Sequence, residues 1–468
     1  MIHRGRLRLI LLHAREAFKK GPAVMFTSAS LKPLLSCTVV ALSSTALMAQ
    51  PTMRFTCGAP GAGEQRLSAA TLYKQAPGAF GFDLSTQPTS FQNDACSSEK
   101  PFFFSVAVPD GDYRVTLKLG GPEASTTTVR AESRRLFLLE RVVKARQTSD
   151  ETFIVHVRTP DILTGTAAPP GQPPPLQVKL KPREIGALDW DGKLTLEFNG
   201  EHPALRSISI APAPEVPTVY LAGDSTVVDQ DKEPWAAWGQ MLPYFFGPRI
   251  AIANEAESGE TIKSFIGERR YDKIMSTIKP GDLLMVQFAH NDQKPGAGYV
   301  PAATDYKMYL KRYIADARAH GATAILVTSM NRRNFDPAGH IVQTLGDYPE
   351  AMRQVAAEEH VALIDLNTMS KTLYEAMGEP GTLKAFVHYP ANTFPGQTEE
   401  LKDDTHFNAY GAYELSRCVV QSMRDQHLPL AAFLRKDIPN FDPAHPDPLA
   451  TWHLPASPAI STETPYGR

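Results

Sequence analysis

Four short polar stretches of the 468-residue chain contain the residue types that serine catalysis requires. Such catalysis needs a hydroxyl nucleophile, a histidine that takes its proton, a carboxylate that orients the histidine, and N–H donors for the oxyanion. Asp403 and His406 lie three residues apart, so a single stretch can carry the base and its carboxylate. The candidates are Ser225 as nucleophile, His406 as base, Asp403 as its orienting carboxylate, and the N–H groups of Ser225 and Gly259 with the Asn291 amide as oxyanion donors.

Each stretch also has a purely structural interpretation. The Ser225 stretch could cap the next helix, Gly259 could serve a turn, and Asp403 with His406 could form an N-cap cluster. The run His290–Asp292, together with Asp403 and His406, could instead bind a metal, although none of these residues has ligand spacing on a rigid element. We favour catalysis without metal or cofactor, because several polar stretches at one edge of a sheet are what an active site requires.

Parallel β-strands are the elements that would position these residues. After about residue 216, near-continuous apolar runs alternate with amphipathic segments. The predicted strands are 219–222, 250–253, 283–288, 324–328 and 361–364, and the predicted helices are 305–317, 347–360 and 409–426. This alternation predicts an α/β domain with a parallel sheet covered on both faces. Three of the polar stretches follow strands, at the carboxyl edge where such sheets bind ligands.

The preceding part of the chain has short strands without helices. They are rich in β-branched and aromatic residues, and turn residues separate them. The predicted strands are 102–108, 113–119, 126–130, 153–158, 193–198 and 207–210. This pattern predicts a β-sandwich interrupted by a mobile Pro/Gly/Ala-rich loop at 165–175. Cys57 and Cys96 could form a disulfide in an oxidising compartment, and Cys418 is expected to be a small buried apolar residue.

The length indicates two folded domains with flanking segments. The predicted boundaries are an N-terminal extension and secretory signal at 1–49, the β-sandwich at 50–212, the α/β domain at 216–430 and a proline-rich tail at 431–468. The apolar run 34–48 is too short to span a bilayer and ends at Ala49, which is typical of a cleaved signal. A normal signal would start at Met25, which we favour over Met1. We therefore expect a secreted or periplasmic protein without a membrane span.

The charge balance limits the classes of partner. The net charge is −2, which argues against nucleic acid and anionic membranes and favours a neutral or polar small partner. Apolar residues make up 43% of the chain, enough to exclude wholesale disorder. The sequence does not indicate an oligomeric state.

Together, the four stretches resemble the blocks of the SGNH (GDSL-type) hydrolases. Within that superfamily the chain is most similar to the rhamnogalacturonan acetylesterase family, and the resemblance covers about residues 216–450. The strings that carry it are Gly223-Asp-Ser-Thr226, Gln287-Phe-Ala-His-Asn-Asp292, Asp403-Asp-Thr-His-Phe-Asn408 and Asp437-Ile-Pro-Asn-Phe-Asp442. The N-terminal domain looks like the galactose-binding-like sandwiches found beside such esterases, where it could bind sugar or serve only as a structural appendage.

The resemblance implies a three-layer, flavodoxin-like SGNH domain preceded by an all-β sandwich. It implies the roles given above for Ser225, His406, Asp403 and the oxyanion donors, with Asp224 and His290 in support. The expected activity is removal of acetyl groups from an acetylated polysaccharide or oligosaccharide, with rhamnogalacturonan (pectin) as the expected substrate, through an acyl-enzyme and without a cofactor. The alternatives are acetyl xylan or another acyl ester, and a non-catalytic carbohydrate-binding protein.

Two positions depart from the family pattern. Ala289 occupies a position where the family usually has glycine, and Glu260 one where related sequences often have arginine. With Glu255 and Glu257, Glu260 makes the Gly259 stretch acidic. We therefore expect this stretch to disfavour a strongly anionic pectin.

Overall fold

The computed structural model describes residues 51–163 and 176–465, which belong to one compact unit, Ala49–Arg468. The predicted secretory signal and the Pro/Gly/Ala-rich loop at 165–175 lie outside the described residues.

Within the described residues, twelve strands build the N-terminal β-sandwich, and the six predicted strands are among them. One sheet has the order β10-β7-β12-β1-β2, with β5 also paired to β12 and β4 to β5, and the other has the order β3-β6-β11-β8-β9. A buried core that includes Phe55, Phe104, Val115 and Leu196 lies between them. The strands are β1 Met53–Thr56, β2 Gln65–Arg66, β3 Phe80–Asp83, β4 Ser90–Gln92, β5 Ala95–Ser97, β6 Phe102–Ala107, β7 Gly111–Leu119, β8 Ser125–Ala131, β9 Arg135–Val143, β10 Ser149–Val157, β11 Lys193–Asn199 and β12 Ala204–Pro212.

The sandwich contains the disulfide that the sequence analysis considered and, among other unpredicted strands, β9, which contacts the α/β domain. Cys57 and Cys96 are bonded, with Cα atoms 5.6 Å apart. Strand β9 was not predicted because charged residues interrupt its apolar pattern. Arg135 at its start is nevertheless buried, since its guanidinium lies 3.3 Å from Asp229 of the α/β domain and donates to the Ile252 carbonyl at 3.2 Å.

The α/β domain contains the predicted parallel sheet, in the order β14-β13-β15-β16-β17. Its elements are β13 Thr218–Gly223, α1 Trp238–Met241, β14 Ala251–Asn254, α2 Ile262–Gly267, α3 Arg270–Thr277, β15 Leu283–Gln287, α4 Lys307–Ala319, β16 Thr323–Val327, α5 Tyr348–Glu359, β17 Ala362–Ile364, α6 Leu366–Thr382, β18 Phe386–Tyr389, β19 Leu401–Phe407 and α7 Ala409–Asp425. Short 3-10 turns occur at Pro182–Glu184, Leu188–Trp190, Leu242–Phe245, Pro429–Phe433 and Leu449–Thr451, and a π-turn at Ala302–Tyr306 precedes α4.

Helices cover both faces of the sheet, which confirms the three-layer prediction. Along β13, Val219 and Leu221 join one apolar cluster with residues of α1, α6 and α7, whereas Tyr220 and Ala222 join another with residues of α2 to α5. Alternate side chains of a strand point to opposite faces, so a central strand with a helix layer on each side is apolar at every position. Cys418 is buried in the first cluster, as predicted.

The stretch before α7 forms a strand, β19, which was not among the predicted strands. Residues of β19 pair with β18 in an antiparallel hairpin outside the parallel sheet. The polar sequence of β19 lacks the apolar alternation that predicts strands, and its pairing partner supplies the backbone hydrogen bonds instead.

Candidate active site

The turn that carries the candidate nucleophile Ser225 begins where β13 ends at Gly223. A Cβ atom at this position would lie 2.5 Å from a methyl carbon of Val227, so only glycine lets the chain turn this tightly. One oxygen of Asp224 accepts hydrogen bonds from the Thr226 N–H at 2.9 Å and the Thr226 hydroxyl at 2.8 Å. These contacts hold Ser225 in a defined turn at the carboxyl end of the central strand.

Two buried glutamines support this turn. The Gln230 amide donates to the Ser225 carbonyl at 3.0 Å, and the Gln287 amide donates to the Thr226 hydroxyl at 2.7 Å. Trp238 in turn donates from its indole nitrogen to Gln287 at 2.9 Å. The sequence reading assigned no role to either glutamine. The signal for Gln287 was a polar residue at the end of an otherwise apolar strand.

A continuous hydrogen-bonded chain joins Ser225, His406 and Asp403. The Ser225 Oγ lies 2.8 Å from His406 Nε2, and His406 Nδ1 lies 2.8 Å from Asp403 Oδ2. All three residues are buried, with 1% of each exposed. The separation along the chain is 181 residues between Ser225 and His406, so the tertiary fold alone brings them together.

A bulge in β19 places Asp403 and His406 on the same side of the strand. In a regular strand, residues three apart point to opposite faces. Here Val387 pairs with Asp403 while the neighbouring Phe386 pairs with Phe407, so the residues between 403 and 407 have no direct partners on β18. Asp403 Oδ1 accepts the His406 backbone N–H at 3.0 Å within this bulge. Because of this bulge, the side chains of Asp403 and His406 contact each other although the residues lie three positions apart in a strand.

Hydrogen bonding keeps the Asp403 carboxyl ionised. Burial by itself would raise its pKa, but the His406 ring and the backbone N–H groups of Thr405 and His406 outweigh burial and lower the pKa. An ionised Asp403 accepts a hydrogen bond from the Nδ1–H group, which leaves Nε2 of the neutral ring to accept one from the Ser225 hydroxyl. The network thus assigns the tautomer that a general base needs.

The Gly259 stretch forms a tight turn beside Ser225. The Glu260 N–H donates to the Glu257 carbonyl at 3.3 Å, and Gly259 has φ +83°, the signature of the third position in a type II turn. The Glu257 N–H donates to the Gly223 carbonyl at 3.1 Å, which fixes the turn to the end of β13. Among the described residues, the N–H groups of Ser225 and Gly259 donate to no protein acceptor.

Asn291 is held from both ends of its amide. Its Nδ2 donates to the Glu260 carbonyl at 3.0 Å, and its Oδ1 accepts from the Lys294 ammonium at 3.1 Å. An amide nitrogen has two hydrogens, so one N–H of Asn291 remains for a ligand. The sequence predicts this N–H, together with those of Ser225 and Gly259, as an oxyanion donor.

The two supporting candidates, Asp224 and His290, are buried beside this site. Burial lowers the pKa of His290 well below its ordinary value, and repulsion from Arg332 adds to the effect, so the ring is neutral. Burial raises the pKa of Asp224, and it raises that of Asp292 to about 8 although the Ile262 N–H donates to Asp292 at 2.9 Å. None of these side chains contacts Ser225 Oγ through a hydrogen bond, so their contribution is to the shape of the site.

The glutamates of the Gly259 stretch are buried, so their charges are not exposed to solvent. Its three glutamates are at most 3% exposed, and each lies beside a basic residue from the preceding domain. The pairs are Arg158–Glu255 at 3.5 Å, Arg183–Glu257 and Lys181–Glu260. The expectation that this stretch would repel an anionic pectin is therefore wrong, because its charges are already neutralised inside the protein.

Within the described ranges, no group of three or more His, Cys, Asp or Glu residues is arranged to hold a metal ion. The helices in these ranges also fall short of the length and apolar character needed to cross a membrane.

Comparison with known proteins identifies the family. Residues 221–413 match the model of the GDSL-like lipase/acylhydrolase family. Over 214 residues the chain is 40% identical to the rhamnogalacturonan acetylesterase RhgT of Bacillus subtilis, an alignment that covers 45% of this chain and 91% of RhgT. The chain belongs to the GDSL-like lipase/acylhydrolase family. It is an acetylesterase.

Other relatives of this GDSL-like hydrolase extend the similarity. It is 37% identical over 223 residues to the Bacillus subtilis protein named "Probable rhamnogalacturonan acetylesterase YesY", covering 47% of this chain and 98% of YesY. It is also similar to the crystal structure of the Bacillus subtilis protein YxiM, at 24% identity and a TM-score of 0.44, over 81% of this chain and 99% of that one. The predicted family and enzyme class are confirmed.

Proposed function

We propose that this acetylesterase removes acetyl groups from a carbohydrate, namely rhamnogalacturonan, with Ser225 as its nucleophile. The observation that carries the proposal is the unbroken hydrogen-bonded chain from Ser225 through His406 to Asp403. The relatives RhgT and YesY, both named as rhamnogalacturonan acetylesterases, support the substrate.

The proposed hydrolysis of the acetyl ester has two steps, acylation of Ser225 and its deacylation by water. His406 Nε2 takes the Ser225 proton as Oγ attacks the acetyl carbon, and Asp403 stabilises the imidazolium that forms. The N–H groups of Ser225, Gly259 and Asn291 hold the oxyanion. His406 then gives its proton to the departing sugar oxygen, which leaves an acetyl-Ser225 ester. A water deprotonated by His406 attacks this ester, and acetate leaves as Ser225 recovers its proton.

Burial and charge at the site support a small acyl group on an acidic carbohydrate. Ser225 is 1% exposed among polar neighbours, a setting that favours acetyl over a long lipid chain. Lys294 and Arg332 lie close enough to each other that, after burial, repulsion from Arg332 lowers the pKa of Lys294. Both lie close enough to Asp224 and Asp403 for their charges to interact with those carboxylates, and two cations so near the site suit a polymer that carries uronate carboxylates.

Acetate release from a substrate panel tests the proposal. The wild-type protein is expected to deacetylate rhamnogalacturonan faster than acetyl xylan or long-chain esters. Ser225→Ala is expected to lose at least ~10⁴-fold in kcat, since the nucleophile is part of the chemistry itself. Undiminished turnover in this variant would disprove the mechanism. A preference for acetyl xylan would disprove the substrate, and failure of Ser225 to react with an organophosphonate would point to a non-catalytic carbohydrate-binding protein.

We also propose that the protein is secreted or periplasmic. The Cys57–Cys96 disulfide supports an oxidising compartment, where such bonds persist. N-terminal sequencing of the protein recovered outside the cytoplasm should begin near Gln50, and recovery of the intact chain from the cytoplasm alone would contradict this.

A further inference from the structure

We propose that Lys181, which belongs to the N-terminal part of the chain, is a positioning residue for the oxyanion donor Gly259. The inference rests on the proposed function, because it takes the Gly259 N–H to stabilise the oxyanion. It also gives the β-sandwich a role in catalysis: a loop of the sandwich holds part of the active site of the other domain.

Lys181 lies in a bridging segment, defined as residues 176–190, which connects strands β10 and β11 of the sandwich. The segment is attached to the α/β domain near the end of α2, where the Lys179 N–H donates to the Glu268 carbonyl at 2.9 Å. Glu184 of the segment accepts the Lys181 N–H at 2.8 Å and pairs with the buried Arg270 at 2.5 Å. Lys181 therefore projects from a fixed backbone.

The Lys181 ammonium contacts the residues on both sides of Gly259. It donates to the Ser258 carbonyl at 2.6 Å and pairs with the Glu260 carboxylate. The other oxygen of that carboxylate accepts from the Ser264 hydroxyl at 2.5 Å, which ties the pair to the first turn of α2. The Gly259 turn is thus held by Lys181 in addition to its contact with Gly223.

The bond to the Ser258 carbonyl determines where the Gly259 N–H points. The two groups belong to the same planar trans peptide unit, so they point in opposite directions. A cation that holds the carbonyl fixes the direction of the N–H, and it also polarises the peptide and strengthens that N–H as a donor. Gly259 has φ +83° and no side chain, so nothing within the residue itself restricts this orientation.

The same contact affects the second oxyanion donor. The carbonyl of Glu260 accepts the Asn291 amide at 3.0 Å, so a shift of the turn would move Asn291 as well. Glu260 is fully buried, which makes removal of Lys181 alone a poor test, since it would leave an unpaired buried carboxylate. Replacing both partners avoids this.

The test compares Lys181→Met/Glu260→Gln and Lys181→Arg with Lys179→Met, each in the full chain. Lys179 is the matched control because it lies in the same segment but donates to the Gly267 carbonyl, at 2.9 Å, away from the Gly259 turn. We measure kcat and KM for acetylated rhamnogalacturonan and p-nitrophenyl acetate, binding of a boronic acid that forms a tetrahedral adduct with Ser225, and the thermal unfolding midpoint.

The double variant is expected to lose ~10- to 10²-fold in kcat with little change in KM, because a misplaced donor affects only the transition state. Boronate affinity should fall in parallel, Lys181→Arg should restore most of both, and Lys179→Met should match the wild type. Wild-type kcat in the double variant would overturn the inference. An equal loss of kcat in Lys179→Met would also overturn it. So would a double variant whose kcat falls only as far as its unfolding midpoint falls, while its affinity for the boronic acid stays at the wild-type value. An active Ser225→Ala variant would instead overturn the proposed function.

Discussion

At the scale of single residues, hydrogen bonds hold the Asn291 side chain in place and leave one of its N–H groups available to a ligand. Asn291 has one N–H engaged by the Glu260 carbonyl and its oxygen engaged by Lys294. Its second N–H can therefore turn to an oxyanion without any rearrangement, which is the preorganisation that makes such donors effective.

Asn291→Ala should accordingly be folded but severely impaired. Loss of one oxyanion donor costs ~10²–10³ in kcat, and KM should change little because the oxyanion exists only in the transition state. Kinetics together with a thermal unfolding curve would check this. A variant with near-normal kcat would show that the oxyanion is held elsewhere.

At the scale of elements, a bulge in one β-strand and the end of another position the residues of the site. The bulge of β19 brings Asp403 and His406 to the same side, and Ser225 lies just beyond the end of β13 at Gly223. The sequence predicted β13, because an apolar run and its end are local patterns. It did not predict that the residues before α7 form a strand, because the partner β18 lies elsewhere in the chain.

Gly223→Ala should damage this element selectively. The added Cβ would lie 2.5 Å from the Val227 side chain, so the turn has to shift, at a cost of about 1–3 kcal/mol in unfolding free energy and a large loss of kcat. Gly267→Ala is the matched control, because a Cβ at that helical position meets no atom within 4 Å. This variant should keep the wild-type kcat, and its unfolding free energy should stay the same or rise, since alanine favours a helix more than glycine does. Denaturant unfolding and initial rates of both variants test this prediction. The same unfolding free energy and the same kcat in Gly223→Ala and Gly267→Ala would refute the steric argument.

At the scale of the whole molecule, buried charges connect the sandwich to the α/β sheet. Arg135 of β9 lies 3.3 Å from Asp229, and Arg134 donates to the carbonyls of Gln230 and Trp235 at 3.0 and 2.8 Å. The tail also crosses the junction, since the Ser457 hydroxyl donates to Glu197 of the sandwich at 2.9 Å. The two folded parts therefore stabilise each other.

We expect both parts to unfold in one calorimetric transition. Arg135→Met should lower the unfolding free energy by about 3–5 kcal/mol, because it removes the cation in contact with the buried Asp229 and the donor to the Ile252 and His156 carbonyls. Arg114→Met, which removes the more exposed pair with Glu215, should cost no more than about 1 kcal/mol. Two separate transitions in the wild type, or similar effects of both substitutions, would contradict this coupling.

The sequence by itself determined the features that local patterns encode. The parallel sheet, the sandwich and the identity of Ser225, His406 and Asp403 as candidates all follow from strand periodicity and from short motifs, because these depend on neighbours along the chain. Only the tertiary structure decided what the acidic Gly259 stretch faces. Glu257 and Glu260 pair with residues 74 and 79 positions earlier, and no periodicity records contacts over that distance. The physical reason is that burying a charge costs free energy unless an opposite charge lies beside it, and only the folded structure brings these distant partners together.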